Sequence, residues 1–249
     1  NGKHVVTANK ALIAHHGAEI FAAAAQHNVA VMYEAAVAGG IPIIKALREG
    51  LTANRISWVA GIINGTTNFI LTEMREKGRA FDDVLKEAQA LGYAEADPTF
   101  DVEGIDAAHK LAILAALAFG MPLEIKRIYT EGITAITQED IRYANELGYR
   151  IKHLGIARDS TDGVELRVNP TLVPNDSLIA QVNGAKNAVM VMGDAVGPTL
   201  YSGAGAGGEP TASAVIADIV DVARALAAGC APLVPYIGVS PAAVQIKTI

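Results

Sequence analysis

Short apolar runs and longer amphipathic stretches alternate along this chain, which predicts a protein of mixed strands and helices. Residues 4–7 read as a short buried strand, the Ala-rich stretch 10–27 as a helix, and 29–33 as a second strand. A strand, helix and strand in that order make a parallel pair joined by a crossover helix. Gly39-Gly40 and Pro42 interrupt the pattern, and a helix follows over 42–48 with proline at its start. Residues 56–63 form a strand that runs into the small polar loop Asn64-Gly65-Thr66-Thr67-Asn68. Helical spacing returns at 69–76 and 81–91, the acid-rich stretch 92–103 reads as a loop, and 104–119 is a strong helix. Further strands are predicted at 128–134, 150–157, 164–172 and 188–193. A short helix falls at 141–147, and a last one at 211–228 behind a Gly-rich loop. The implied fold is α/β and α+β: the tail of a doubly wound domain, then an α+β domain with a mixed or antiparallel sheet.

Composition narrows the class. Hydrophobic residues make up 51% of the 249 positions and aromatic ones 5%, so the core is built from Ala, Val, Ile and Leu, as in many α/β enzymes. Net charge is −6 with no long run of either sign, which excludes the basic footprint of a nucleic-acid binder. Charges or glycines break every apolar stretch before it reaches membrane-spanning length, which predicts a soluble protein with no membrane partner. The lone Cys230 excludes an internal disulfide framework, fits a reducing compartment and so predicts a cytoplasmic location. Asn1-Gly2-Lys3-His4 leads straight into an apolar strand without an initiator Met or a signal-peptide pattern, which predicts a piece of a longer protein.

The chemistry concentrates between Ala88 and Lys110. On the helix from about Gly104, Asp106 and Lys110 lie four apart and share one face, which Ile113 and Leu117 continue. The acid and the amine thus extend an apolar stripe instead of a solvated one. Alone, such a pair is a helix-stabilising contact worth a few tenths of a kcal/mol. However, Glu95, Asp97, Asp101, Glu103 and Asp106 all fall within 95–106, with Lys110 the one nearby cation. That cluster calls for an ammonium substrate, a metal, or lysines from elsewhere in the chain. The histidines show no metal-ligand spacing, and Ser202 and Ser213 lack a G-x-S-x-G setting, so a hydrolase triad is not expected.

The run Ala88-x3-Gly92-Tyr93-Ala94-x2-Asp97-Pro98-x2-Asp101-Val102-x-Gly104-x-Asp106-x3-Lys110 resembles the signature of homoserine dehydrogenases at every fixed position. The likeness extends from Thr7-Ala8-Asn9-Lys10 through Asn64-Gly65-Thr66-Thr67-Asn68 to Gly203-Ala204-Gly205-Ala206-Gly207. It implies NAD(P)-dependent interconversion of L-homoserine and L-aspartate 4-semialdehyde, on the route to threonine, methionine and isoleucine. By the resemblance, Lys110 is the general acid/base, Asp106 holds the substrate and orients the lysine, and Glu95 binds the substrate ammonium with Asp101 in support. Lys10 becomes a second active-site lysine near the nicotinamide, and Gly92 and Gly207 contact the cofactor, NADP or NAD. The resemblance also implies a sodium-type monovalent cation held by the Glu34 side chain and the carbonyls of Val37, Gly39 and Ile41. The plainer alternative there is a domain-crossing bend in which Glu34 caps a neighbouring element.

Divided on this likeness, 1–40 is the end of a Rossmann-type nucleotide-binding domain and 41–202 a catalytic and dimerisation domain. Residues 203–230 are a loop and helix returning to the first domain, and 231–249 a tail. A homodimer is implied. The family's N-terminal strand and G-x-G-x-x-G phosphate loop do not precede residue 4, so no residue here is assigned to the pyrophosphate. Two alternatives stay open: a non-catalytic binding or oligomerisation module of the same fold, and a dehydrogenase for a related amino-acid semialdehyde.

Overall fold

The computed structural model describes residues 2–230 and 245–247, so most of the tail predicted at 231–249 lies outside the described residues. The chain opens with β1 (Val5–Val6), α1 (Lys10–Gln26) and β2 (Val31–Met32), and the two strands pair in parallel across the helix. Asn9 caps α1, its Oδ1 accepting the Leu12 N–H. A short turn at Glu34–Ala36 leads to α2 (Ile43–Lys45), which widens at once into a π-type turn over Ala46–Gly50. The helix predicted at 42–48 is therefore split where the wide turn begins.

β3 (Ile56–Ile62) is followed by α3 (Gly65–Lys77), α4 (Phe81–Ala90), the single turn α5 (Thr99–Val102) and α6 (Ile105–Phe119). Then come β4 (Tyr129–Thr130), α7 (Gln138–Glu146), β5 (Tyr149–Ser160), β6 (Gly163–Pro174), β7 (Lys186–Gly193), β8 (Gly197–Ala204) and α8 (Gly208–Ala227). The large sheet runs β4-β6-β5-β3-β7-β8, antiparallel except for the β4–β6 pair. It is the mixed sheet expected of the second region.

Four expectations are corrected, the first being the loop over 92–103, which holds the single helical turn α5 at Thr99–Val102. Asn64–Asn68 is the cap and first turn of α3, because Asn64 Oδ1 accepts the Thr67 N–H at 2.8 Å. The strand expected over 128–134 pairs only at Tyr129–Thr130, since Gly132 lies against the Val102 carbonyl, where a Cβ would sit 2.5 Å from that oxygen. β8 was not predicted; its Gly-Pro start and weak alternation hide a strand that is half-exposed along its length.

α6 sits at the centre of the core. Leu111, Ile113 and Leu114 are fully buried in the main cluster with Val59 of β3 and Ala157 of β5. Each such side chain contributes about 1.5–3 kcal/mol through apolar burial. Gly104, at φ 82°, starts α6 in a left-handed conformation with His153, Val168 and Thr130 packed close around its Cα. α8 packs on the first strands through Val222, which clusters with Ala30 and Met32. The sheet's other face shows half-buried Trp58, Ile156, Met190 and Leu200.

Lys152 on β5 is 1% exposed, and its Nζ donates to Val182 O at 2.5 Å and Asn68 Oδ1 at 3.1 Å. Burial, with Arg75 and Arg150 adding to it, pushes this lysine down to about 7. The unfolded chain then binds one more proton than the folded one between about pH 7 and 10.5, so stability rises with pH across that window. The rise is on the order of a few kcal/mol. Denaturant midpoints measured from pH 6 to 10 are expected to show it, and Lys152→Met to flatten it; an unchanged slope in the variant contradicts this assignment.

Candidate active site

The junction of β3 and α3 builds one wall of a cleft. Asn64 spends its Oδ1 on capping α3, which leaves Nδ2 to reach two carboxylates: Asp101 Oδ1 at 2.8 Å and Asp106 Oδ2 at 2.9 Å. Thr66 Oγ1 shares its proton between the Tyr93 carbonyl at 2.6 Å and Asp101 Oδ2 at 3.3 Å. Asp106 occupies the first turn of α6, where the helix N-terminus favours negative charge. One turn on, Lys110 Nζ donates to Asp106 Oδ2 at 2.7 Å and to the Ile63 carbonyl at 2.8 Å. Lys10, the first residue of α1, brings its Nζ to 3.1 Å from Asp106 Oδ1. One carboxylate therefore holds two ammonium groups, one on each oxygen.

Exposure grades across the group: the side chains of Asp106, Lys110 and Lys10 are 6%, 12% and 33% exposed. Burial alone would push the Asp106 carboxyl up, but the Lys110 and Lys10 charges and the bonds from Lys110 and Asn64 hold it below the usual range. It stays ionised at neutral pH. Asp101 moves the other way, because burial and the neighbouring Asp106 charge outweigh its bonds from Asn64 and Thr66. Two of the three Lys110 N–H groups are used, which leaves one for a ligand.

These groups line a cleft of about 420 Å³, a size suited to small ligands. A larger hollow of about 530 Å³ lies beside Arg55 and Asp159 but collects no comparable buried cluster. Of the residues singled out from the sequence, Lys10, Asp101, Asp106, Lys110, Gly92 and Gly207 all line the smaller cleft. Glu95 does not: it is exposed, two residues beyond Tyr93, and its carbonyl accepts from Gln89 Nε2. The structure adds Asn64, Thr66, Tyr93 and Asn187 to the lining. Asn64 could have been read from its place as a helix cap before an apolar run; Asn187, inside a strand, carried no signal. The buried Asn187 amide has no hydrogen-bond partner among the described residues, which costs about 1–3 kcal/mol per unpaired group.

The homoserine dehydrogenase family model matches residues 42–220 of the chain. The chain belongs to the homoserine dehydrogenase family. The homoserine dehydrogenase of Pseudomonas aeruginosa is 70% identical over 98% of this chain and 56% of its own length. That of Neisseria gonorrhoeae is 64% identical over 100% of this chain and 57% of its own. The chain thus spans just over half the length of these curated relatives. Among solved structures, a homoserine dehydrogenase from Thiobacillus denitrificans superposes with a TM-score of 0.95 at 69% identity, over 99% of this chain and 58% of that one. A hyperthermophilic archaeal homoserine dehydrogenase in complex with NADPH superposes with a TM-score of 0.79 at 30% identity, over 95% and 66%.

The parallel pair and the six-stranded mixed sheet make the chain α/β and α+β in class, and solved homoserine dehydrogenases superpose on this arrangement. Among the described residues, no helix is long and apolar enough to cross a membrane.

Residues 34–39 and Ile41 are buried and the segment abuts the glycine loop, with the N–H of exposed Gly40 donating to the Ala204 carbonyl at 3.0 Å. Glu34 Oε1 and Oε2 accept the N–H groups of Ile44 and Lys45 at 2.9 and 2.8 Å, so the side chain does cap the start of α2. Burial, partly offset by those two bonds and assisted by Asp218, pushes the carboxyl up to about 7. Among the described residues, no group of three or more His, Cys, Asp or Glu side chains is placed to hold a metal. A hard monovalent cation would instead draw on backbone oxygens beside this carboxylate, and oxygen donors of that kind suit it.

Proposed function

We propose that this chain supplies the catalytic lysines and the substrate cleft of an NAD(P)-dependent homoserine dehydrogenase. One observation carries the reading: Asp106, buried beside the cleft, is bound by Lys110 and Lys10 at once. The cofactor, NADP or NAD, supplies or accepts the hydride. The related NADPH complex supports a nicotinamide cofactor for this fold. In reduction, Lys110 gives a proton to the aldehyde oxygen as negative charge builds there; in oxidation it removes the same proton from the hydroxyl. Asp106 orients Lys110 and binds the substrate with Asp101, and the Lys10 ammonium adds positive charge beside the reacting oxygen. Lys10, Gly92 and Gly207 form the cofactor side. Glu95 as ligand of the substrate ammonium rests on the resemblance alone.

A monovalent cation at Glu34, Val37, Gly39 and Ile41 has a structural role, tying the crossing segment to the glycine loop. The half-buried row Trp58, Ile156, Met190 and Leu200 suits a homodimer interface through the sheet. The single cysteine accords with a cytoplasmic location. A non-catalytic module is disfavoured, because Asp106, Lys110 and Lys10 are all present and in contact.

The test is homoserine-dependent reduction of NAD(P)⁺ by the full-length protein. Turnover is expected there, and little from 1–249 alone, because no residue of 1–249 is assigned to the pyrophosphate. A full-length protein that binds NAD(P)H yet turns over no homoserine contradicts the reading. Turnover by 1–249 at a rate ordinary for enzymes overturns the second expectation.

A further inference from the structure

One polar group in the cleft has no part in the proton chemistry. Asn187, the second residue of β7, is 1% exposed and lines the cleft, with its Nδ2 donor and Oδ1 acceptor both unpartnered among the described residues. The amide lies where two glycines leave room for it. A Cβ on Gly205 would fall 2.0 Å from the Asn187 amide carbon, and one on Gly65 would fall 3.5 Å from its Oδ1. The side chain is therefore wedged between the first residue of α3 and the glycine loop ahead of α8. Asn68, one turn along α3, shows the contrast. Its Nδ2 donates to the carbonyls of Val182, Gly184 and Lys186, and its Oδ1 accepts from Lys152. Buried amides are normally saturated in that way. One left open beside a ligand cleft is a contact awaiting its second half.

We propose that Asn187 binds the primary carboxamide of the nicotinamide ring, a step that rests on the function proposed above. Nδ2 donates to the carboxamide oxygen, and Oδ1 accepts one of its N–H groups. The other ligand groups fit less well. A carboxylate offers no donor for Oδ1, an ammonium offers no acceptor for Nδ2, and both charged groups have better partners in Lys10, Lys110 and Asp101. A neutral carboxamide satisfies both amide atoms with a single group. The loop over Asn187 is Gly205-Ala206-Gly207, and a bare Cα at Gly205 lets the backbone shift off the amide as the ring enters.

The full-length protein is titrated with NADPH and with its reduced 3-acetylpyridine analogue, in which a methyl group replaces the carboxamide nitrogen. Dissociation constants are read by fluorescence, and ligand-induced thermal shifts give a second readout free of turnover. Asn187→Ala is expected to weaken NADPH binding about tenfold, about 1.4 kcal/mol, as for one lost buried hydrogen-bonded contact. The wild type is expected to prefer NADPH over the analogue by a similar factor, and the variant to lose that preference. Asn187→Asp keeps the shape but not the donor, so it is expected to lose affinity likewise even if the alanine variant packs poorly. Equal weakening toward both ligands, with the preference intact, makes Asn187 a prop for the loop and overturns the proposal. If the wild type binds neither ligand, the functional reading beneath it fails instead.

Discussion

Lys110→Ala in the full-length protein is expected to lower kcat at least about a hundredfold, the loss typical of removing a general acid/base. The side chain is 12% exposed and spends two of its donors on Asp106 and the Ile63 carbonyl, so it is held in place before substrate arrives. Its removal takes away a group used mainly as the reacting oxygen changes charge. The loss therefore falls on kcat and kcat/KM together, with cofactor affinity close to that of the wild type. Small primary amines in the medium are expected to restore part of the rate, since the cavity left by the lysine faces the cleft. Near-normal turnover in this variant rules out the role assigned to Lys110.

Asp106→Asn is expected to cost about as much, with a different pattern. The carboxylate balances two ammonium groups while 6% exposed, and it accepts from Asn64 on the oxygen that Lys110 also uses. An asparagine offers no charge to either lysine. Leaving buried or half-buried cations unpaired is costly, and their positions relax toward solvent. Because Asp106 is read as both orienting Lys110 and binding substrate, KM rises as well as kcat falling, and kcat/KM is expected to drop more than a hundredfold. A variant with unchanged KM and only a few-fold loss in kcat shows that the carboxylate does neither.

The sequence made the heart of this site legible because its key pair is local. Asp106 and Lys110 are one helical turn apart, and the helix that carries them was plain from Gly104 to Phe119. Lys10 follows a strand into a helix, a position that by itself suits a solvated lysine; the resemblance assigns it to the site, and it meets Asp106 across 96 positions of chain that no periodicity records. Asn64 and Thr66 fall in a small polar stretch whose composition predicts a loop, although they are the cap and first turn of α3 that hold Asp101 and Asp106. Asn187 stayed invisible, since its meaning depends on Gly205 and Gly65 being packed against it. β8 escaped for a related reason: on the sheet edge, half-exposed, it needs no strong alternation to be held by β7. Glu95 is the reverse case, given a role by the resemblance yet outside the lining of the cleft.

The most direct measurement is a structure of the full-length protein with homoserine and an oxidised nicotinamide cofactor bound. The Lys110 Nζ is expected at hydrogen-bonding distance, about 2.7–3.2 Å, from the homoserine hydroxyl oxygen, with Asp106 still contacting both lysines. A substrate hydroxyl bound elsewhere, with Lys110 reaching only Asp106 and the Ile63 carbonyl, contradicts the account.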